Sequence, residues 1–156
     1  MAPGNRHELR LLERAAANDP VALAAPTVME IAYGLSKASL RDERFLAAGA
    51  WFTRLVTGDL VIVCALDEHA ALVAGKLRAR HPLPPTTAQR PRKGTKPDQR
   101  AAWLLDIQIA ACAWTAGAWL RTDNQHDFQL LARLLSELYP NTAPLVVEPA
   151  PDLAPT

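Results

Sequence analysis

Three carboxylates in this sequence stand at the borders of apolar segments, where a helix or strand end can turn an acid inward. Glu30 follows the apolar run Val21 to Ala25, Asp106 sits inside Leu105-Asp106-Ile107-Gln108-Ile109-Ala110-Ala111, and Asp127 closes Leu120-Arg121-Thr122-Asp123-Asn124-Gln125-His126-Asp127-Phe128. Acids without a His or Cys cluster offer hard oxygen donors, which suit Mg²⁺ or Mn²⁺ better than zinc. Such an ion orients a water, lowers its pKa and stabilises charge on a phosphate under attack. Like charges held close together are tolerable only when a cation or proton is shared among them. The chemistry therefore depends on whether the fold makes these acids converge.

Taken singly, most of them have a plainer reading. Thr27 followed three residues later by Glu30 is the capping-box pattern, and alone it makes Glu30 a helix cap. Asp127 suits an N-cap or a first helical turn, where the helix dipole favours an acid. Asp123 and Asn124 are ordinary turn residues. Asp106 is harder to explain away, because Asp has mediocre propensity in mid-helix and caps nothing there. Its neighbours one turn away, Ala102, Trp103, Ile109 and Ala110, carry no charge, and Arg100 lies too far back for a helical ion pair.

The elements that must position these residues alternate between helix and strand, which points to an α/β fold with a mainly parallel sheet flanked by helices. A helix is expected over residues 8–17, stopped by Asn18-Asp19-Pro20, and then a strand over 21–25. Two helices follow, one opened by Pro26-Thr27 and one over 40–57. The continuous apolar run 60–65 reads as a strand buried on both faces. Asp67 caps a helix to about Arg80, with Ala71, Leu72, Gly75 and Leu77 facing inward. Helix 99–116 buries Trp103, Ile107, Ala110, Ala111 and Trp114, and Gly117 ends it. Strands over 118–122 and 145–148 enclose a last helix over 127–139. Strands 21–25 and 118–122 would deliver Glu30 and Asp127 to the carboxyl edge of an open sheet, where ligands bind.

A chain of 156 residues, 49% hydrophobic and 21% charged, suits one domain, expected over 1–148, with a flexible tail at 149–156. Net charge is only +1, but Arg78, Arg80, Arg90, Arg92, Lys93, Lys96 and Arg100 face Asp98 alone in their stretch. The Pro-rich loop 81–98 is thus a basic segment on a mildly acidic body, either a solvated loop or a seat for a phosphate backbone. No apolar run reaches the roughly 20 residues that span a bilayer, and the charged start has no signal-peptide core, so a cytoplasmic protein is expected. Cys64 and Cys112 lie in apolar elements without C-x-x-C spacing and read as buried thiols. There is no G-x-S-x-G elbow, phosphate-cradling glycine loop or H-E-x-x-H motif. His69 and His126 are isolated and read as surface residues, His126 being a candidate for substrate contact.

The ordered acids, with D-x-x-I-A on a helix and T-x-N-x-x-D-F after a strand, resemble a PIN-domain ribonuclease of the VapC toxin type, over about residues 9–148. The resemblance implies a three-layer α/β/α fold and a Mg²⁺- or Mn²⁺-dependent endoribonuclease, the toxin of a type II toxin–antitoxin pair. It implies that Glu30, Asp106 and Asp127 are catalytic metal ligands, that Asp123 is a substitute ligand, and that Thr122 and Asn124 are the polar positions of the last motif. Arg121, Arg92 and Lys93 would contact RNA. A cognate antitoxin whose tail occupies the site, and a homodimer, are the implied partners.

The family's opening D-T-S-like phrase on the central strand has no counterpart here, and Met1 to Glu8 reads as the loop after the first helix. A start assigned too late is the expectation, since loss of a central strand leaves neighbours with unpaired backbone and exposed apolar faces. On that expectation the chain as given is unstable and its metal site weak. The alternatives are a truncated, catalytically inactive module that binds RNA or antitoxin, and a plain interaction domain in which Glu30 and Asp127 are caps.

Overall fold

The computed structural model describes residues 3–85 and 94–150, with side chains from Glu8 onward. Arg92 and Lys93, and residues 151–156 of the expected tail, lie outside the described residues. The chain divides into two compact units, Met1–Ala65 and Leu66–Thr156. The first contains α1 (Pro3–Ala16), β1 (Ala22–Ala24), α2 (Ala25–Ser39), α3 (Arg44–Thr57) and β2 (Ile62–Cys64). The second contains α4 (Glu68–Arg80), α5 (Lys96–Thr115), β3 (Leu120–Arg121), α6 (Gln125–Leu138) and β4 (Val147–Glu148). Each unit holds one parallel strand pair, β1 with β2 and β3 with β4. The class is mixed α/β, mostly helical, with strands shorter than the apolar runs that form them.

In the first unit, α1 starts at Pro3, so residues before Glu8 are helical where a loop was expected. It stops where expected: Asn18 takes the left-handed conformation at φ 57°, and the Arg14 guanidinium bonds the Asp19 carboxylate at 2.8 Å. Its Leu9 and Leu12 stay exposed rather than sealed. The expected capping box at Thr27 does not form. Helix α2 begins two residues earlier, with Pro26 in its first turn, where a missing amide costs no helical bond. Thr27 is already inside the helix, and Glu30 is an exposed helical residue instead of a cap.

Helix α3 starts at Arg44 rather than Leu40. Asp42 accepts the Arg44 amide at 3.0 Å and its guanidinium at 2.7 Å. Those bonds hold the Asp42 carboxyl below its ordinary value. The β2 run is not buried on both faces either: Ile62 is 52% and Val63 37% exposed. A strand with a single described neighbour lacks the layers that would cover it, and the buried residues of this unit, among those described, are Pro26, Phe52, Leu55, Val61 and Cys64. Burial pushes the Cys64 thiol up.

The second unit is better filled. Asp67 caps α4 as expected, accepting the Ala70 amide at 2.9 Å. The inward face is Ala70, Val73, Ala74 and Leu77, so only Leu77 of the expected stripe is buried, and Leu72 faces out. Helix α5 begins at Lys96, three residues early, because Thr95 and Asp98 form a reciprocal capping box and Pro97 is tolerated in a first turn. Trp103, Ile107, Ala110 and Ala111 are buried as expected, while Trp114 is half-buried, stacked on Tyr139 and donating to the Ala143 carbonyl at 3.1 Å. Gly117, at φ 66°, ends the helix as the sequence suggests. Cys64 and Cys112 are free, buried thiols. No helix among the described residues is long and apolar enough to cross a membrane.

Candidate functional site

Two segments of the second unit bring polar side chains together. The first is α5, whose Ala110 and Ala113 are small enough to be buried tightly one and two turns beyond Asp106. Gly117 then reverses the chain, with Gly117 N–H donating to the Trp114 carbonyl and Ala118 N–H to that of Ala113. The second segment is the turn from β3 into α6. The Thr122 amide donates to the Glu148 carbonyl at 3.0 Å and the Ala150 amide to the Thr122 carbonyl at 3.3 Å, fixing the turn to the β4 segment. The Thr122 hydroxyl then accepts the Asn124 amide at 3.0 Å, which tightens the chain for entry into α6.

That entry places Asn124 between two acids. Its side-chain Nδ2 donates to Asp127 Oδ2 at 3.0 Å and reaches Asp106 Oδ2 at a long 3.5 Å. An amide NH₂ carries two protons, so one neutral group can serve both carboxylates. Asp127 is 5% exposed and is the buried charged residue among the described residues. Its other oxygen, Oδ1, lies 3.2 Å from Nδ1 of His126, which donates there when that nitrogen carries its proton. A buried carboxylate is thus met on both oxygens, as burial of a charge requires.

The structure groups Asp106, Asn124 and Asp127, and it adds His126, which stands isolated in the sequence. Its position directly before Asp127 was the available signal. Asn124 bridges the acids and Thr122 braces the turn, so both have intrachain partners where the resemblance implied substrate contacts. Asp123 is exposed on the same turn, and its carboxylate makes no hydrogen bond or ion pair among the described residues. Arg121 pairs with Glu148 at 3.3 Å, its register partner on β4. Glu30 belongs to the first unit and is exposed.

Among the described residues, no three or more His, Cys, Asp and Glu side chains form a group able to hold a metal ion. The donor chemistry of the pair still fits a small hard cation. Mg²⁺ commonly keeps several waters and takes only one or two carboxylates from a protein. Asp106 and Asp127, both oxygen donors drawn to the same nitrogen, are such a set. No protein-family model matches this sequence, and no curated protein matches it.

Proposed function

We propose that this chain is a metal-dependent endoribonuclease with a PIN-like three-layer fold, the toxin of a type II toxin–antitoxin pair, acting on RNA phosphodiester bonds in the cytoplasm. One observation carries the reading: a mid-helix acid without a capping role, Asp106, and a buried acid, Asp127, are drawn to a single Asn124 amide. Asp106 and Asp127 would hold Mg²⁺ or Mn²⁺, with Asp123 in reach of the same turn. When bound, such an ion supplies a water of lowered pKa and stabilises charge on the scissile phosphate. Asn124 keeps the two carboxylates aimed together, and His126 restrains the second oxygen of Asp127. Arg121, Thr122 and the basic segment with Arg92 and Lys93 would steer and hold the RNA backbone, a role that weakens with salt. The partners on this reading are a cognate antitoxin and a second copy of the chain.

The test is Mn²⁺-dependent cleavage of a structured RNA pool by the full chain. Asp106→Asn and Asp127→Asn should each abolish cleavage, and Asn124→Ala should lower it about 10- to 100-fold, as loss of a ligand-orienting partner does. Glu30→Gln tests the role that the resemblance implies for that residue. Cleavage that survives Asp106→Asn sinks the proposal. The absence of a group of three metal-ligating side chains among the described residues favours one second reading, a PIN-like module that binds RNA or antitoxin without cutting. RNA binding by a wild type that never cleaves would select it.

A further inference from the structure

Next to His126, the neighbour of Asp127, lies an open cavity of about 460 Å³, within the size range of small-ligand sites. Helix α6 supplies one wall: His126, Gln129 and Arg133 recur at helical spacing on a single face, with Ala132 between them. Leu145 and Val147, before and within β4, supply the other wall, and Leu145 is buried. The lining holds no acid. Arg133 is exposed and makes no ion pair or hydrogen bond among the described residues, so its planar fork of donors is available to an anion. Ala132, Leu145 and Val147 supply its aliphatic surface. His126 belongs to both places, since its ring lines the cavity while Nδ1 rests 3.2 Å from Asp127 Oδ1.

We infer that this cavity binds one nucleotide of the RNA strand next to the scissile phosphate, with the base against Ala132, Leu145 and Val147 and the phosphate on Arg133. Gln129 is placed to hydrogen-bond the base edge or sugar. The assignment rests on the nuclease reading for its substrate class, and it extends that reading from where the bond is cut to how the strand is gripped. A peptide or lipid would find only one cation and a short apolar wall here. A nucleotide uses all three kinds of lining at once.

The test is a titration of the isotope-labelled full chain, with EDTA present, by AMP, CMP, GMP, UMP and inorganic phosphate separately, followed by amide NMR shifts. At least one mononucleotide should bind saturably, shift His126, Gln129, Arg133 and Val147, and bind about tenfold more tightly than phosphate, a difference of about 1.4 kcal/mol. Arg133→Gln, an exposed change, should weaken binding about tenfold, and Ala132→Phe should fill the cavity and abolish it. No saturable shift, equal binding of phosphate and nucleotides, or indifference to both cavity variants in chains of native circular dichroism would overturn the assignment. Cleavage assays on the same variants separate the two ideas. Binding lost with RNA cleavage unchanged removes the cavity and leaves the nuclease. Binding retained by a chain that never cleaves removes the nuclease and leaves the nucleotide site.

Discussion

The two units use the same alternation of helix and short parallel strand, but the large side chains withdrawn altogether from solvent lie in Leu66–Thr156. There Trp103, Leu77, Ile107, Leu131 and Leu135 are lost to solvent, while in Met1–Ala65 even the best-buried residues, Leu55 and Val61, keep some exposure. The first unit also leaves Met29, Tyr33, Phe45, Leu46 and Ile62 exposed. The tryptophans repeat the contrast. Trp103 donates its indole N–H to the His81 carbonyl at 2.8 Å and Trp114 to the Ala143 carbonyl, whereas the buried indole N–H of Trp51 has no partner among the described residues. The buried charge, Asp127, sits in the unit that holds the fully buried large side chains. A carboxylate withdrawn from water needs hydrogen bonds of fixed geometry, and fixed geometry needs packed helices beneath it.

The comparison breaks most directly by mutation of one leucine in each unit. Leu131→Ala, in the second unit, should cost about 2–5 kcal/mol in urea denaturation. Leu46→Ala, at a position 60% exposed in the first, should stay within about 0.5 kcal/mol. Equal losses would show that the units are not differently packed. Trp103→Phe leaves the His81 carbonyl unpaired and should destabilise by about 1–3 kcal/mol, while Trp51→Phe removes a donor already without a partner and should be neutral or mildly stabilising in the same assay. Gly117→Ala should cost about 1 kcal/mol. A Cβ there meets nothing within 4 Å, so the penalty is backbone conformation alone.

The smallest effect concerns pH. Hydrogen bonds from the Thr95 hydroxyl and amide hold the Asp98 carboxyl below its ordinary 3.8. A depressed acid stabilises the folded state above the unfolded value, so this contribution is complete above about pH 3.8 and fades as pH falls through the lower folded value. NMR titration of Asp98 should find its midpoint below 3.8, and Thr95→Ala should return it toward that value. A midpoint indifferent to the substitution would mean the cap does not form in solution.

Much of the second unit could be read from the residues. Asp67 as a cap, Gly117 as a terminator and the Trp103-Ile107-Ala110-Ala111 face each follow from local chemistry that tertiary packing did not override. The failures have local causes too. Thr27 and Glu30 match a capping box, but Pro26 suits a first turn so well that the helix starts before them. The apolar run around Ile62 signals burial, yet a run cannot say how many neighbours will cover it. Of the candidate site, Asp106 stood out because nothing near it in sequence explains a charge in mid-helix. Its meeting with Asp127 depends on how α5 and α6 pack; the bridge through Asn124 is hidden behind an ordinary turn-residue reading, and the contact of His126 behind that of an isolated surface residue.

The departure and return of the basic segment are tied to one helix pair. The His81 carbonyl is held by Trp103, and on the far side the Thr95–Asp98 box and the Gln99 side chain on the Gly94 carbonyl fix the start of α5. Between two fixed ends, each doubling of a flexible loop's length costs only about 0.6 kcal/mol of closure entropy. Both anchors use residues outside that stretch, so the end of α4 and the start of α5 are held by bonds that a change of length between them does not itself remove.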